Sequence, residues 1–319
     1  MTASLALDLL LIAAGVALLY LGGDWLVSGA TALARRFGVS PMIVGLTVVA
    51  FGTSSPELAA SLVASLSGAP AVAVGNVLGS NVANLGLILG ASALFYPLTV
   101  SSSFVLREVP LAIAVSALML PLALDGRYGR FDALLLLGLL AGYLGVLIRE
   151  ARRGTVVLDA VEAVEELAAV EAPVWRLLLR VAAGIALLTG GAHVLVTGAV
   201  GVARVAGIPE QVVGVSLVAL GTSLPELASC VVAALRREAD LVLGNLVGSN
   251  LFNVLAIVGT VALVRPLPVS AAAILPDYLV MMGFSVAMLP ILGWRRRVSK
   301  PEGILLLAAY VAYIGWLYL

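Results

Sequence analysis

Charge is scarce in this chain. Its 319 residues include 18 Lys or Arg and 18 Asp or Glu, 11% in all, whereas a soluble domain carries ~25%. So few charges cannot cover a water-facing surface, so most of the outside must face lipid. Cysteine occurs once, as Cys230, which excludes an intramolecular disulfide and a cysteine-based metal cage. Histidine also occurs once, as His193. No low-complexity tract appears. The formal net charge is zero and by itself argues for no partner. Nothing calls for nucleic acid or an obligate protein partner, and membrane lipid is the expected surrounding. The N-terminus lacks a basic leader and a clear small-residue cleavage site, so its apolar run is expected to be a first helix rather than a signal peptide.

What the chain has in abundance is apolar length. It is 62% hydrophobic, with a mean hydropathy of +1.14, which is room for about ten spans of ~20 residues. Ten segments are expected, at 5–34, 41–67, 70–95, 104–124, 131–149, 174–205, 210–236, 240–264, 270–293 and 301–319. Rich in Leu, Val, Ala and Gly, they suit helices, which satisfy their own backbone in lipid. Glycine and proline punctuate the joins, as at Gly38–Pro41, Ser67–Pro70 and Lys300–Pro301. The expected fold is therefore all-α and integral to the membrane. Residues 150–172 differ, being polar and net acidic with Asp159, Glu162, Glu165, Glu166 and Glu171. They are expected to form an aqueous linker between a first five-helix unit, 1–149, and a second, 173–319.

The two units repeat each other. Ala50–Glu57 reads AFGTSSPE, and 169 residues later Ala219–Glu226 reads ALGTSLPE. At the same offset, GNVLGSNVAN at Gly75–Asn84 becomes GNLVGSNLFN at Gly244–Asn253, and Gly22, Gly29, Gly38 and Gly45 become Gly191, Gly198, Gly207 and Gly214. Five spans is an odd number, so the second copy must cross the membrane in the opposite sense. With the N-terminus outside, fourteen of the basic residues, Arg107, Arg236 and Arg295–Arg297 among them, fall on the cytoplasmic side, and only Arg127, Arg130, Arg204 and Arg265 fall outside. Inverted repeats of this kind typify secondary transporters, with the site near mid-membrane where the repeats meet.

Each copy puts one carboxylate, Glu57 or Glu226, inside an apolar stretch. Even the mildest scale sets the cost of such a group in hydrocarbon at ~2.5–3.5 kcal/mol, so it needs a function. Pro56 and Pro225 carry no amide hydrogen, which frees the carbonyls of Gly52 and Gly221 and breaks the helix where only a bound partner could make the break tolerable. Thr53 and Ser54, with Thr222 and Ser223, add hydroxyls, and the second phrase adds Ser80 and Asn84, with Ser249 and Asn253. Thr53 and Glu57 lie four apart, on one helix face, as do Ser80 and Asn84, Thr222 and Glu226, and Ser249 and Asn253. Four helices would then each turn a polar ridge to one centre. Every candidate ligand is an oxygen, which favours a hard cation such as Ca²⁺ or Na⁺ over zinc or copper. Asn76, Asn81, Asn245 and Asn250 are expected in helix–helix hydrogen bonds, Asp24 and His193 in packing or gating, and Cys230 as a buried thiol. Neither phrase holds histidine or cysteine, so nothing supplies a nucleophile–base pair or a metal-bound water, and the chain is not expected to be an enzyme.

These residues resemble the α-repeats of the sodium/calcium exchangers, in the cation/calcium antiporter superfamily. The likeness is sharpest over 44–90 and 213–259. It implies ten helices with both termini outside, in the cytoplasmic (plasma) membrane, and with 150–172 cytoplasmic. It implies electrogenic antiport of Ca²⁺ against Na⁺ by alternating access, through sliding of the first and sixth helices. No cofactor is implied, only the transported ions. Carried over, Glu57 and Glu226 are the central Ca²⁺ ligands, and the carbonyls of Ala50 and Ala219 with Thr53, Ser54, Thr222, Ser223, Ser80 and Ser249 are flanking ligands for Na⁺ and Ca²⁺. The chain departs from some prokaryotic relatives in having asparagine at both 84 and 253, one ionisable group fewer. Its short linker leaves no room for the regulatory calcium-binding domains of animal exchangers. Ca²⁺/H⁺ exchange or K⁺-dependent Na⁺/Ca²⁺ exchange is the alternative within this architecture, and a channel is the alternative outside it.

Overall fold

The computed structural model describes residues 2–153, 172–206 and 219–317. The described chain is helical: α1 (Thr2–Phe37), α2 (Pro41–Thr53) and α3 (Ser55–Leu66), α4 (Pro70–Phe95) and α5 (Phe104–Leu122), α6 (Arg130–Arg153), α7 (Val174–Val205), α8 (Ala219–Thr222), α9 (Leu224–Leu235), α10 (Ala239–Val264), α11 (Ala271–Arg295) and α12 (Lys300–Leu317). Among the described residues seven helices are long and apolar enough to cross a membrane, and α2 with α3 makes an eighth if that pair, bent by 41°, is one span. The acidic stretch of the expected linker and the first part of the expected span 210–236 lie outside the described residues.

The chain sets its own boundaries. Proline occupies the first turn of α2, α3, α4 and α9, where its missing amide hydrogen costs nothing. Gly38 (φ +64°) and Gly68 (φ +85°) end α1 and α3 in the left-handed conformation, closing the last turn through bonds such as Val39 N to Ala34 O and Ala69 N to Ala64 O. Arg237 takes the same conformation after α9 (φ 63°). A non-glycine residue is disfavoured there by ~1–2 kcal/mol, and its guanidinium lies 5.8 Å from the Tyr96 ring, a contact that offsets part of the strain.

Two helices form the centre. The apolar windows of α4 and α10 are 72% and 78% buried, whereas no other span exceeds 33%. The outer helices turn large apolar side chains such as Leu10, Phe131, Leu134, Leu305 and Val311 outward. Hydrophobicity cannot hold helices together against lipid, so close packing must, and glycines supply it. A Cβ on Gly244 would lie 2.6 Å from the Met42 carbonyl oxygen, and one on Gly248 would lie 2.7 Å from Ala50 Cβ. These two gaps seat α2 on α10. Along α1 and α7, Gly15, Gly22 and Gly29 face a matching series of Gly184, Gly191 and Gly198. A Cβ on Gly22 would fall 2.7 Å from Leu188 N, and one on Gly184 2.6 Å from Leu26 N.

Short strand pairs tie the ends of the two halves. Strand β1 (Leu98–Thr99) pairs with β4 (Arg297–Val298), and β2 (Arg127–Tyr128) with β3 (Leu267–Pro268). Other contacts also recur across the halves. The Tyr143 hydroxyl donates to Glu108 Oε2 at 3.1 Å, and the Tyr313 hydroxyl to Asp277 Oδ1 at 2.9 Å. Asp24 and His193, equivalent in sequence, part company here. Asp24 forms an ion pair with Arg236 beyond the end of α9, while His193 is exposed.

Candidate functional site

The bend between α2 and α3 falls at Ser54 (φ −84°, ψ 3°), and Ser223, between α8 and α9, has nearly the same backbone (φ −89°, ψ 1°). Each serine sits two residues before a proline that cannot donate to the preceding turn. The Ala50 carbonyl accepts the Ser54 amide at 3.0 Å, and its second lone pair remains for another partner. Ala219 opens α8. Both breaks lie beside α4 and α10, which widen into π-turns beginning at Asn84 (Asn84–Ile88) and at Asn253 (Asn253–Val258). Such turns insert one residue and redirect side chains, and they concentrate at functional positions.

The polar residues lie in the core. Ala50, Thr53, Ser54, Glu57, Ser80, Asn84, Ser223, Glu226, Ser249 and Asn253 are all buried, and Thr222 is half-buried. The two halves exchange hydrogen bonds. Ser54 Oγ donates to Glu226 Oε1 at 3.0 Å, and Ser223 Oγ to Glu57 Oε1 at a looser 3.4 Å. The Ser223 and Ser80 hydroxyls lie 3.5 Å apart. Asn245 is a hub: its Oδ1 accepts from Thr53 Oγ1 at 3.3 Å and from Ser249 Oγ at 3.4 Å, while its Nδ2 donates to Ser229 Oγ and to Cys230 Sγ. Thus the thiol is buried and engaged. Asn76, the sequence counterpart of Asn245, instead donates to the Glu57 carbonyl and to Ser61 Oγ.

What is left unpaired defines the chemistry. Among the described residues, seven buried side-chain oxygens have no hydrogen-bond partner. Four of them are Glu57 Oε2, Glu226 Oε2, Asn84 Oδ1 and Asn253 Oδ1, two from each half. The other three are the hydroxyls of Thr31, Ser65 and Ser92, outside both phrases. Buried acceptors are normally satisfied, and an unmet carboxylate oxygen is the most expensive kind to leave. An all-oxygen set of two carboxylates, two amides and several hydroxyls suits a hard cation. Among the described residues no group of three or more His, Cys, Asp and Glu forms a softer metal centre.

The helix–helix hydrogen bonds expected of Asn76, Asn81, Asn245 and Asn250 are present. In the structure these asparagines are the partners of candidate ligands. Their place in the duplicated phrases was the only sequence signal for this supporting role.

Comparison with known proteins shows what the chain as a whole is similar to. A family model described as "Sodium/calcium exchanger protein" matches residues 7–149 and 176–319. CaxA of Alkalimonas amylolytica is 37% identical over 302 residues, covering 94% of this chain and 95% of that protein. Sodium/calcium exchanger MaX1 of Methanosarcina acetivorans is 30% identical over 343 residues, covering 97% and 98%. The structure of the sodium-calcium exchanger NCX_Mj soaked with zero Na⁺ and Ca²⁺ superposes with a TM-score of 0.83 at 31% identity, covering 98% of this chain and 99% of that one.

Proposed function

The chain belongs to the sodium/calcium exchanger family, and from that premise we propose that it is a secondary antiporter exchanging Ca²⁺ for Na⁺ across the membrane by alternating access. The observation that carries the reading is the set of four unpartnered oxygens on Glu57, Glu226, Asn84 and Asn253, contributed evenly by the two halves. Two carboxylates neutralise one Ca²⁺, or more than one Na⁺ in separate subsites. Seven or eight ligating oxygens are within the means of Thr53, Ser54, Thr222, Ser223, Ser80, Ser249 and the carbonyls of Ala50 and Ala219 added to those four.

The architecture we assign is ten spans in two inverted five-helix repeats, 1–149 and 173–319, joined by 150–172. The exchanged hydrogen bonds between Ser54 and Glu226 and between Ser223 and Glu57 support two-fold relatedness. So does the correspondence between the β1–β4 and β2–β3 pairs. The distribution of basic residues supports both termini outside and the linker in the cytoplasm. The work this reading assigns to the chain is binding, closure and release.

The test is ⁴⁵Ca²⁺ uptake into Na⁺-loaded vesicles under imposed Na⁺, K⁺ and H⁺ gradients. Uptake is expected to follow the Na⁺ gradient and to need no K⁺. Uptake that ignored Na⁺ and tracked the pH gradient would assign the protein to Ca²⁺/H⁺ exchange, and flux without counter-ion coupling would make it a channel. A related prediction concerns Asn84→Asp. A third carboxylate competes for protons with the metal, so the variant is expected to lose exchange more steeply than the wild type as pH falls. Superimposable pH profiles would reject that role for position 84.

A further inference from the structure

A primary amide is nearly symmetric in shape, with an acceptor at one end and a donor at the other. As a cation ligand it works only one way round: the oxygen attracts the ion and the NH₂ repels it. Something must therefore choose the end that faces the site. In this protein the choice is made from the far side of each candidate amide. Asn84 Nδ2 donates to Asn250 Oδ1 at 2.9 Å, and Asn253 Nδ2 donates to Asn81 Oδ1 at 2.9 Å. Each bond takes up the NH₂ end, and in each case the oxygen left over, Asn84 Oδ1 or Asn253 Oδ1, is buried and unpartnered.

The arrangement is reciprocal. Asn84 and Asn81 belong to α4, Asn253 and Asn250 to α10, and each bond crosses between the two helices and so between the two halves. Asn81 is itself held, since its Nδ2 donates to Met281 Sδ on α11 at 3.6 Å, within the range for a sulfur acceptor. Asn81 and Asn250 are fully or nearly fully buried, so water cannot stand in for them. Both clamped amides open the π-turns of their helices.

We propose that Asn81 and Asn250 are positioning residues for cation binding, each fixing across the interface between the halves the amide of Asn253 or Asn84 so that its oxygen is presented to the ion. This rests on the reading of Asn84 and Asn253 as ligands. It assigns preorganisation to a layer behind the ligands, in the way that partners of metal-bound side chains orient them elsewhere. It also makes the orientation of a ligand on one half depend on a residue of the other.

A double-mutant cycle on Ca²⁺ affinity tests it, measured by titration calorimetry on purified protein alongside Na⁺-driven ⁴⁵Ca²⁺ uptake. Asn250→Ala and Asn81→Ala are each expected to weaken Ca²⁺ binding by about tenfold, the scale of one lost hydrogen bond with the misorientation it permits. The decisive result is the pattern of coupling. The Asn250→Ala loss should largely vanish in an Asn84→Ala background and persist in an Asn253→Ala background, with the converse for Asn81→Ala. A packing role would instead couple each residue to its neighbour three positions away on the same helix, or to nothing. Asn250→Asp, which keeps an acceptor for the Asn84 amide, should recover part of the loss. If an alanine variant does not purify as a monodisperse protein, serine, too short to reach, replaces it in the same cycle. Additive losses, or an Asn250→Asp variant as weak as Asn250→Ala, overturn the proposal. Wild-type protein that binds Ca²⁺ but does not exchange it for Na⁺ overturns the antiport reading and leaves the clamp standing. Wild-type protein that binds no Ca²⁺ overturns both.

Discussion

Replacing Glu57 or Glu226 by glutamine is expected to abolish Ca²⁺ exchange while leaving the protein folded. Glutamine matches glutamate in shape and can still accept from Ser223 or Ser54, whose hydroxyls now reach Glu57 at 3.4 Å and Glu226 at 3.0 Å. What is lost is one of two buried negative charges. A unit charge ~4 Å from a cation at an effective dielectric constant of ~20 is worth ~4 kcal/mol, about three powers of ten in affinity. Removing a hydroxyl, as in Ser54→Ala, deletes a neutral ligand and a hydrogen bond, for which ~1 kcal/mol is the appropriate scale. Glutamine variants should therefore fall far below serine variants in Na⁺-driven ⁴⁵Ca²⁺ uptake. Stability should move the other way. Without an ion, Glu57 Oε2 and Glu226 Oε2 are buried without partners, so neutralising either side chain relieves a desolvation cost. The ion-free variant should melt at or above the wild-type temperature, and Ca²⁺ should no longer raise its Tm, because stabilisation by a ligand requires binding to the folded state. Two single variants that both retained near-normal exchange would remove these carboxylates from the site.

The same two residues show how far the sequence could be read. Glu57 and Glu226 stood out because each is an acid in an apolar run and each has a twin 169 residues away, and burial in the structure follows from that logic. The break after Thr53 and Thr222 was legible from Pro56 and Pro225, since proline's missing donor is a local fact. Asn81 and Asn250 were expected in helix–helix hydrogen bonds and they make them, but their partners were not legible. That Asn250 meets Asn84 and Asn81 meets Asn253 depends on how α4 crosses α10. The π-turns at Asn84 and Asn253 left no mark in the composition, because an extra residue in a helical turn needs no special side chain. The Asp24–Arg236 ion pair was invisible for a related reason. Sequence equivalence paired Asp24 with His193, whereas the fold pairs it with a residue 212 positions away.

Substituting Gly191 by leucine is expected to have an effect nearly as large as loss of a carboxylate, and for a purely steric reason. Helices α1 and α7 touch through backbone. A Cβ on Gly191 would lie 2.9 Å from Leu18 Cβ and 2.9 Å from Leu19 N, and one on Gly198 would lie 2.5 Å from the Asp8 carbonyl oxygen. Backbone atoms cannot rotate aside as the tip of a side chain can, so the helices must part. Gly52 makes the contrast, since its added Cβ would meet the terminal Cδ1 of Ile185 at 2.3 Å, an atom that a rotamer change can move. Overpacking a close seam costs ~1–3 kcal/mol for small additions, so Gly191→Ala should lower the thermal unfolding temperature in detergent, and Gly191→Leu should lower it further and suppress exchange. Gly190 supplies the control within the same turn. Nothing lies within 4 Å of a Cβ added there, and alanine exceeds glycine in helix propensity by up to ~1 kcal/mol, so Gly190→Ala should be neutral or stabilising. Adjacent glycines changed to the same residue should thus move stability in opposite directions. Equal melting temperatures and equal exchange for Gly190→Ala, Gly191→Ala and Gly191→Leu would show that the seam tolerates side chains and that glycine is not what joins the two helices.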